Sequence, residues 1–451
     1  MTARRSRSTK TSRQRLPSRA TVERPATLYE LKKCLDSARR SALPLRPRGA
    51  GTAPTDCNTC STGVIIDMTK LDRILNVDRH NGTVTVEAGT RLRNLTLLLA
   101  KRGLELEGCY DQSGRTVGGA IAAPCFGPGI GNSATCFSSQ VLSLKMATAD
   151  GRVMTVTRNQ ENLLHALRAS YGLLGIICEA TMRVRPLTKF SVSHSCATID
   201  KFCSVATTLI STDIGLKFYL LPHRDKVYLD VRRYSVKTGR ALSLPWQIKD
   251  WRENKLLPRV LKLLRGVVPF PAMRYRLTDA ISDATHGFLK ARLLGTGTNA
   301  MAASQWPRHG SSPKLFYSTW CFPAAEASVV IPAYVDFCKS TLAVSGYRCD
   351  MPAVGYRVQK NADSLLSPAF DETMIALQTM STREAGWENF VIDLAEFAQQ
   401  WGAIPIFSQS RSMRADYARQ AYSGRIEFFG KMRRRLDPDG KFLNPYFAQY
   451  F

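Results

Sequence analysis

The spacing of apolar residues predicts short strands alternating with helices as far as Pro186, and a different texture beyond it. Residues 27–41 repeat their apolar positions at helical intervals, and 45–48 and 64–67 read as short strands, with 71–75 a short connector. Residues 77–78 and 83–88 flank Asn81-Gly82, a pair that accepts the positive φ of a tight hairpin turn. Asp150-Gly151 does the same between strand patterns at 141–148 and 153–156. A helix over 92–102 stops at Gly103, a second covers 162–169, and 176–184 returns as a strand. After Pro186, strand-like runs at 217–221, 227–232, 315–321 and 374–379 mix with long helical patterns at 326–345 and 388–400. That mixture predicts an α+β domain built on a large antiparallel sheet.

Two glycine-bearing stretches interrupt the first pattern, residues 46–56 (RPRGAGTAPTD) and 116–129 (TVGGAIAAPCFGPG). Each strips side chains from backbone next to an apolar run, which lets N–H groups close on a phosphate and gives the chain freedom to turn tightly. One such loop is usually only a turn. Two of them, with a third apolar glycine segment at 170–185 (SYGLLGIICEATMRVR), predict a groove for a long phosphate-bearing cofactor.

Length and charge extend this picture. A chain of 451 residues is long enough for two domains. No apolar run is read as approaching the ~20 residues that span a bilayer. The net charge is +27, and Met1–Ala20 supplies seven cations with no acid and no apolar segment, which reads as a basic disordered tail rather than a secretory signal. A second concentration at 224–276 holds fourteen basic and four acidic residues. Within it Lys255, Arg259, Lys262 and Arg265 share one helical face, and Leu256, Leu257, Val260, Leu261, Leu264 and Val267 fill the other. A basic amphipathic helix over 255–266 packs on its own domain or lies on an anionic membrane surface. Aromatic RNA-binding signatures and a helix-turn-helix pattern are absent, so specific nucleic-acid recognition is not expected. Twelve cysteines at irregular spacing imply reduced thiols and a cytoplasmic, at most peripherally membrane-bound, protein. Cys57 and Cys60 form a lone CxxC and the six histidines lie far apart, so no metal centre is expected.

The order of the motifs RPRGAGT, VIIDMTKLDRIL, VTVEAGT, TVGGAIA, LKMATADGRVM and YGLLGII resembles the FAD-binding domain of the vanillyl-alcohol oxidase / p-cresol methylhydroxylase family. The closing segment FGKMRRRLDPDGKFLNPYF, with RVQKNADSLLSP before it, resembles the aldonolactone and alditol oxidase branch; IIDMTKLDRI with TVGGAIA also resembles decaprenylphosphoryl-ribose oxidase. The resemblance implies a two-domain α+β flavoprotein. A basic tail (1–20) precedes an FAD domain (21–187); a substrate cap (188–430) with a basic insertion (240–276) follows, and 431–451 return to the FAD domain. It implies that Arg48, Gly49, Ala50, Gly51, Thr52 and Ala53 wrap the pyrophosphate. Ser113, Gly114, Thr116, Val117, Gly118, Gly119, Ala122, Cys125, Phe126, Gly127 and Gly129 would run beside the flavin, and Gly175, Ile176 and Ile177 would close over it. A Cβ at Gly118 or Gly119 is expected to collide with the cofactor.

The departures carry equal weight. The position at which several relatives attach FAD through histidine is Thr52, and a second attachment position is Gly114, so the FAD is expected to be non-covalent. The Glu-x-Arg of the lactone branch reads Gly355-x-Arg357, and the lysine that supports reduced flavin becomes Ser408 or Gln409 according to alignment. Arg357, Gln409 and Arg411 are the candidate catalytic residues, with Tyr356, Gln409 and Tyr446 candidate bases. The implied activity is hydride transfer from a hydroxyl-bearing carbon of a small-molecule alcohol, sugar, polyol or lactone to flavin N5. Two alternatives stand beside it: a membrane-surface flavoenzyme acting on a lipid-linked or sterol-like substrate, and a flavin-binding interaction module that has lost catalysis.

Overall fold

The computed structural model describes residues 20–40, 43–107, 114–131, 136–234, 256–293, 296–298, 315–383 and 385–451. Three parallel strands open it, in the spatial order Thr21–Glu23, Val64–Asp67, Leu45–Arg48. Helix Leu28–Arg40 covers them because Leu31, Leu35 and Ala38, spaced by four and three, form one buried stripe against Leu45, Val64 and Ile66. A second, antiparallel sheet runs Ile74–Asp78, Thr83–Glu87, Ile176–Pro186, Val141–Ala147, Val153–Thr157, and Leu104–Leu106 pairs with the far end of Ile176–Pro186. Its two hairpins turn at Gly82 and Gly151, both with positive φ (60° and 82°). The segment 71–75, read as a connector, instead feeds the edge strand Ile74–Asp78, whose register slips between Ile74 and Asn76.

The cap is an eight-stranded antiparallel sheet in the order Thr296–Thr298, Phe190–Ala197, Lys226–Tyr234, Gly215–Leu221, Ala353–Val358, Met374–Ser381, Phe316–Pro323, Ile404–Pro405. Helices Ile199–Ser211, Ala327–Ser345 and Trp387–Gln400 cover one face, through pairs such as Phe202–Phe218 (5.0 Å) and Phe322–Phe397 (6.1 Å). Contrary to the sequence reading, one segment, Ala324–Ser345, is long and apolar enough to cross a membrane. Its Val330, Ile331, Tyr334 and Val335 are buried on the cap, with the Tyr334 hydroxyl 2.8 Å from that of Thr379.

The other face of the cap sheet looks toward the second glycine loop. A Cβ on Gly215 would strike the carbonyl of Pro128, and Phe126 packs with Cys321, Val358, Ala376 and Ile406. The outer part of this face is roofed by helices Leu257–Val267 and Pro271–Leu293. The basic tail and the first half of the 240–276 insertion, Lys255 included, lie outside the described residues. The C-terminal segment comes back to the first sheet: Leu45 donates to the Lys441 carbonyl (2.7 Å), and the Asn444 amide donates to the carbonyls of Asp56 and Thr59 (2.9 Å each).

Candidate active site

Both glycine loops meet the cap at one place, built from the first loop outward. Gly51 takes a left-handed φ of 67°, which a side chain there would strain. Gly49 backs onto the Thr116 side chain so closely that a Cβ could not fit, and this brings the two loops together. Arg48 pairs with Asp67 (3.3 Å), which also receives Arg24 (3.4 Å). Burial opposes the Asp67 charge, yet bonds from Thr69, Arg48 and Arg24 outweigh it and hold the carboxyl below its usual range. The Arg48 charge is thereby compensated within the protein. Thr52 is exposed, and its carbonyl accepts from the Tyr317 hydroxyl of the cap (2.8 Å). Ala53 packs against the main core.

In the second loop Thr116 caps the short helix Val117–Ala122, accepting from the Gly119 amide (3.2 Å). The expectation for Gly118 needs correction. A Cβ there would lie 2.8 Å from the Ala88 Cβ and 3.2 Å from its carbonyl, so the glycine is demanded by the chain's own packing. At Gly119 a Cβ would approach only the Thr116 hydroxyl, at 3.0 Å, and the side of the loop it faces is open. The Gly114 carbonyl accepts from Arg91 (2.8 Å), and Ala122 accepts from the Tyr171 amide (2.6 Å). Cys125 is fully buried and burial pushes its thiol up, while Gly127 and Gly129 are joined by a 2.7 Å backbone bond. Ser113 lies outside the described residues. Ile176 and Ile177 open a strand of the sheet and Gly175 directly precedes it: a Gly175 Cβ would meet Met146 and Ala147, and both isoleucines are core residues.

Arg115, directly before the TVGG motif, lies inside the second loop and is not singled out by the sequence. Its guanidinium donates to the Pro124 carbonyl (2.9 Å), and its charge bears on Cys57, Cys125 and Tyr317, which belong to three separate segments. Burial nevertheless pushes the Tyr317 hydroxyl up to about 12.

On the cap side, residues 406–411 are the junction. The Thr55 hydroxyl donates to the Phe407 carbonyl (2.9 Å), the Gln409 amide to Pro124 (3.3 Å), and Arg411 to Pro54 (2.9 Å). Arg411 also pairs with Glu388 (2.9 Å), so it clamps the first loop from a half-exposed position. Tyr446 donates to the Phe407 carbonyl (2.6 Å). Ser408, between these contacts, is buried and its hydroxyl has no partner. Arg357 stands elsewhere. It shares a face with Gly355, whose missing Cβ would fall on the Phe218 ring, and it donates to the carbonyls of Ile210 and Thr212 at the end of helix Ile199–Ser211. The guanidinium therefore lies behind the sheet, away from the loops, where burial lowers its pKa.

The face toward the loops carries a row of polar residues that no sequence motif marked. His194, Asp230, Lys217 and Tyr356 are register partners across four neighbouring strands. His194 bonds the Asp230 carboxylate through Nδ1, and its Nε2 lies 3.4 Å from Nδ1 of His286. Lys217, 5% exposed, holds its ammonium 5.0 Å from the Tyr219 ring and 5.4 Å from that of Tyr356. Tyr356 is in the apolar cluster with Phe126, so the row reaches the second loop.

The two loops fit a dinucleotide flavin. Bare backbone at 49–51 and the open side of Gly119 flank the junction, the Ser408 hydroxyl is an unmet buried group, and Arg115 supplies a cation between the loops. Residues 20–157 match the FAD-binding domain, and residues 180–450 match the D-arabinono-1,4-lactone oxidase family. The chain is 26% identical over 439 residues to L-gulono-1,4-lactone dehydrogenase of Mycobacterium tuberculosis, covering 94% of each chain. It is 24% identical to L-gulonolactone oxidase of Scyliorhinus torazame, covering 95% of this chain and 94% of that one. Among solved structures, cholesterol oxidase from B. sterolicum has the same fold, with a TM-score of 0.74 at 15% identity over 95% of this chain and 93% of that one. The chain is an FAD-dependent oxidoreductase and belongs to the D-arabinono-1,4-lactone oxidase family.

Proposed function

We propose that the protein oxidises a hydroxyl-bearing carbon of an aldonolactone, using dissociable FAD and the buried polar row of the cap. The observation that carries this reading is the row itself: an ammonium, a carboxylate, an imidazole and a phenol aligned on the sheet face turned to the cofactor loops. A sterol-sized apolar substrate gains no hydrogen bond from such a row. A polyhydroxylated lactone can meet those groups with hydrogen bonds.

FAD supplies the hydride acceptor. The protein's own contribution is electrostatic and positional. Lys217, held between two rings, is the fixed positive charge that opposes negative charge building up at the cofactor, in place of the lysine missing at Ser408. Tyr356 and Gln409 border the junction and orient substrate hydroxyls, and the covered sheet excludes water. Arg411 holds the first loop closed. Two features support dissociable FAD: Thr52 offers only a hydroxyl, and burial pushes the Cys57 and Cys125 thiols up, away from the thiolate.

Anaerobic mixing of the flavoprotein with L-gulono-, L-galactono- and D-arabinono-1,4-lactone tests the activity. Bleaching of the visible flavin band by at least one lactone is expected. No bleaching by any lactone, with bleaching by a sterol or simple alcohol, overturns the substrate class. Acid precipitation that leaves the yellow colour in the pellet overturns dissociable FAD.

A further inference from the structure

The helices Leu257–Val267 and Pro271–Leu293 form a hairpin that is fastened to the cap along its length, up to Val268 and Tyr275 at the turn, while one side of the turn stays in solvent. Leu257 and Leu261 bury against Met351, with Leu264, Ile281 and Met380 alongside. Three carboxylates fix the hairpin: Asp350 to Arg265 (3.4 Å), Asp279 to Arg348, and Asp283 to both Arg224 (2.8 Å) and Lys226 (2.9 Å). Arg383 donates to the Tyr275 hydroxyl (2.7 Å), which donates in turn to the Gly346 carbonyl (3.3 Å).

From that fixed hairpin the turn between the helices presents apolar side chains outward. Leu263 is 66% exposed, Val267 69%, Phe270 68% and Met273 49%. Pro269, Pro271 and Ala272 between them are exposed as well, whereas Val268 is buried against the protein. This differs from the amphipathic reading, in which Val267 lay on the inward side of the helix. Leaving such side chains in water forgoes about 1.5–3 kcal/mol for each large one, and a contiguous apolar patch marks a surface that meets a partner. The rim is cationic: Lys262 and Arg276 are exposed and Arg274 half-exposed. From Leu256 to Thr278 the chain has five cations and no acid.

We propose that this tip docks the protein on an anionic bilayer surface. Val267, Phe270 and Met273 enter the acyl boundary, and Lys262, Arg274 and Arg276 lie at the level of the lipid phosphates. A second copy of the chain fits poorly, because it would bring the same cations to the same place and each copy carries a net +27. The apolar centre with its basic rim matches the layering of headgroups over acyl chains.

Flotation of the flavin-loaded, full-length protein at physiological salt tests this, with phosphatidylcholine vesicles and with phosphatidylcholine vesicles containing phosphatidylglycerol. Wild type floats with the anionic vesicles and stays behind with the neutral ones. The double variant Val267→Ser/Phe270→Ser keeps its flavin absorbance, which certifies folding, and loses at least about tenfold in vesicle partitioning. Lys262→Gln loses about fivefold. Three outcomes overturn the proposal: wild type that floats with neither vesicle; a double variant that floats as wild type does, which assigns binding to cations elsewhere; or light scattering that shows a wild-type dimer and a monomeric double variant, which assigns the tip to a second copy.

Discussion

Arg46 ties three distant segments together, and its replacement by lysine separates shape from charge. Its Nε donates to the Cys57 carbonyl (2.7 Å), one terminal nitrogen donates to Phe442 (3.0 Å), and the other donates to Tyr171. The group is 1% exposed and lies 5.0 Å from the Phe447 ring. Burial lowers its pKa to about 10, which leaves it charged at neutral pH. An ammonium keeps the charge but cannot point along the planar fork that reaches three carbonyls on separate segments. In Arg46→Lys at least two acceptors lose their donor, each at roughly 1–3 kcal/mol. Two such losses sum to about 2–6 kcal/mol, and after local relaxation the expected loss is about 3 kcal/mol, in the lower half of that range. Because Cys57 follows the first loop, part of the loss appears as weaker FAD binding. Urea titration followed by flavin fluorescence and by circular dichroism reads both effects: the variant should release flavin at lower urea than wild type, ahead of the loss of secondary structure. A variant that unfolds within about 0.5 kcal/mol of wild type and keeps its flavin as tightly would refute the argument, since that is the scatter of an ordinary surface substitution.

The remaining predictions follow from single contacts. Lys217→Met should slow anaerobic flavin reduction by lactone about a hundredfold or more and weaken the sulfite adduct of the flavin, with Lys217→Arg restoring part of both; a rate within threefold of wild type removes Lys217 from the reaction. Gly118→Ala should destabilise the fold by about 1–3 kcal/mol through its clash with Ala88, whereas Gly119→Ala should fold normally and lose FAD affinity; equal thermal shifts in the two apoproteins would contradict the contact geometry. Burial, with Arg348 and Lys339 nearby, lowers the His223 pKa from 6.5 to about 4. The unfolded chain therefore takes up this proton first, so stability is full above pH 6.5 and declines as the pH falls toward 4. His223→Gln should flatten that part of the urea-midpoint profile, and a variant with the wild-type slope would exclude His223 as its source.

The sequence announced the loops more clearly than it announced their reasons. Runs of glycine next to strands marked two loops that meet at the cap, yet Gly118 answers to Ala88 and the Arg48 charge to Asp67. The hairpins at Asn81-Gly82 and Asp150-Gly151 were readable because only a few residue pairs accept that turn. Strand parity was not readable. Alternation tells that residues 355 and 357 share a face, but packing decides which face it is, and Phe218 claims it for the helices. The polar row was hidden for a related reason. His194, Lys217, Asp230 and Tyr356 each stand alone within an ordinary strand, and only the pairing of four strands sets them side by side.

That row bears on whether the chain has kept its chemistry. Ser408 in place of a lysine, read alone, favours a flavin protein whose catalysis has decayed. A fixed charge acts through space, however, and nothing ties it to one strand. Decay would leave the face toward the loops free to fill with apolar side chains, because a buried ammonium beside a buried carboxylate and imidazole costs desolvation energy that apolar packing avoids. The cap keeps Lys217, Asp230 and His194 at 5%, 0% and 0% exposure, in a row that runs from the second glycine loop to beneath His286 of helix Pro271–Leu293. Keeping that cost in a row whose Tyr356 reaches the second glycine loop is the expected signature of a working site. It also yields an asymmetric expectation: Ser408→Lys in the wild type should change the rate of flavin reduction little, whereas in Lys217→Met it should recover part of the lost rate. Equal effects in the two backgrounds would mean that the charges at 217 and 408 do not serve the same developing anion.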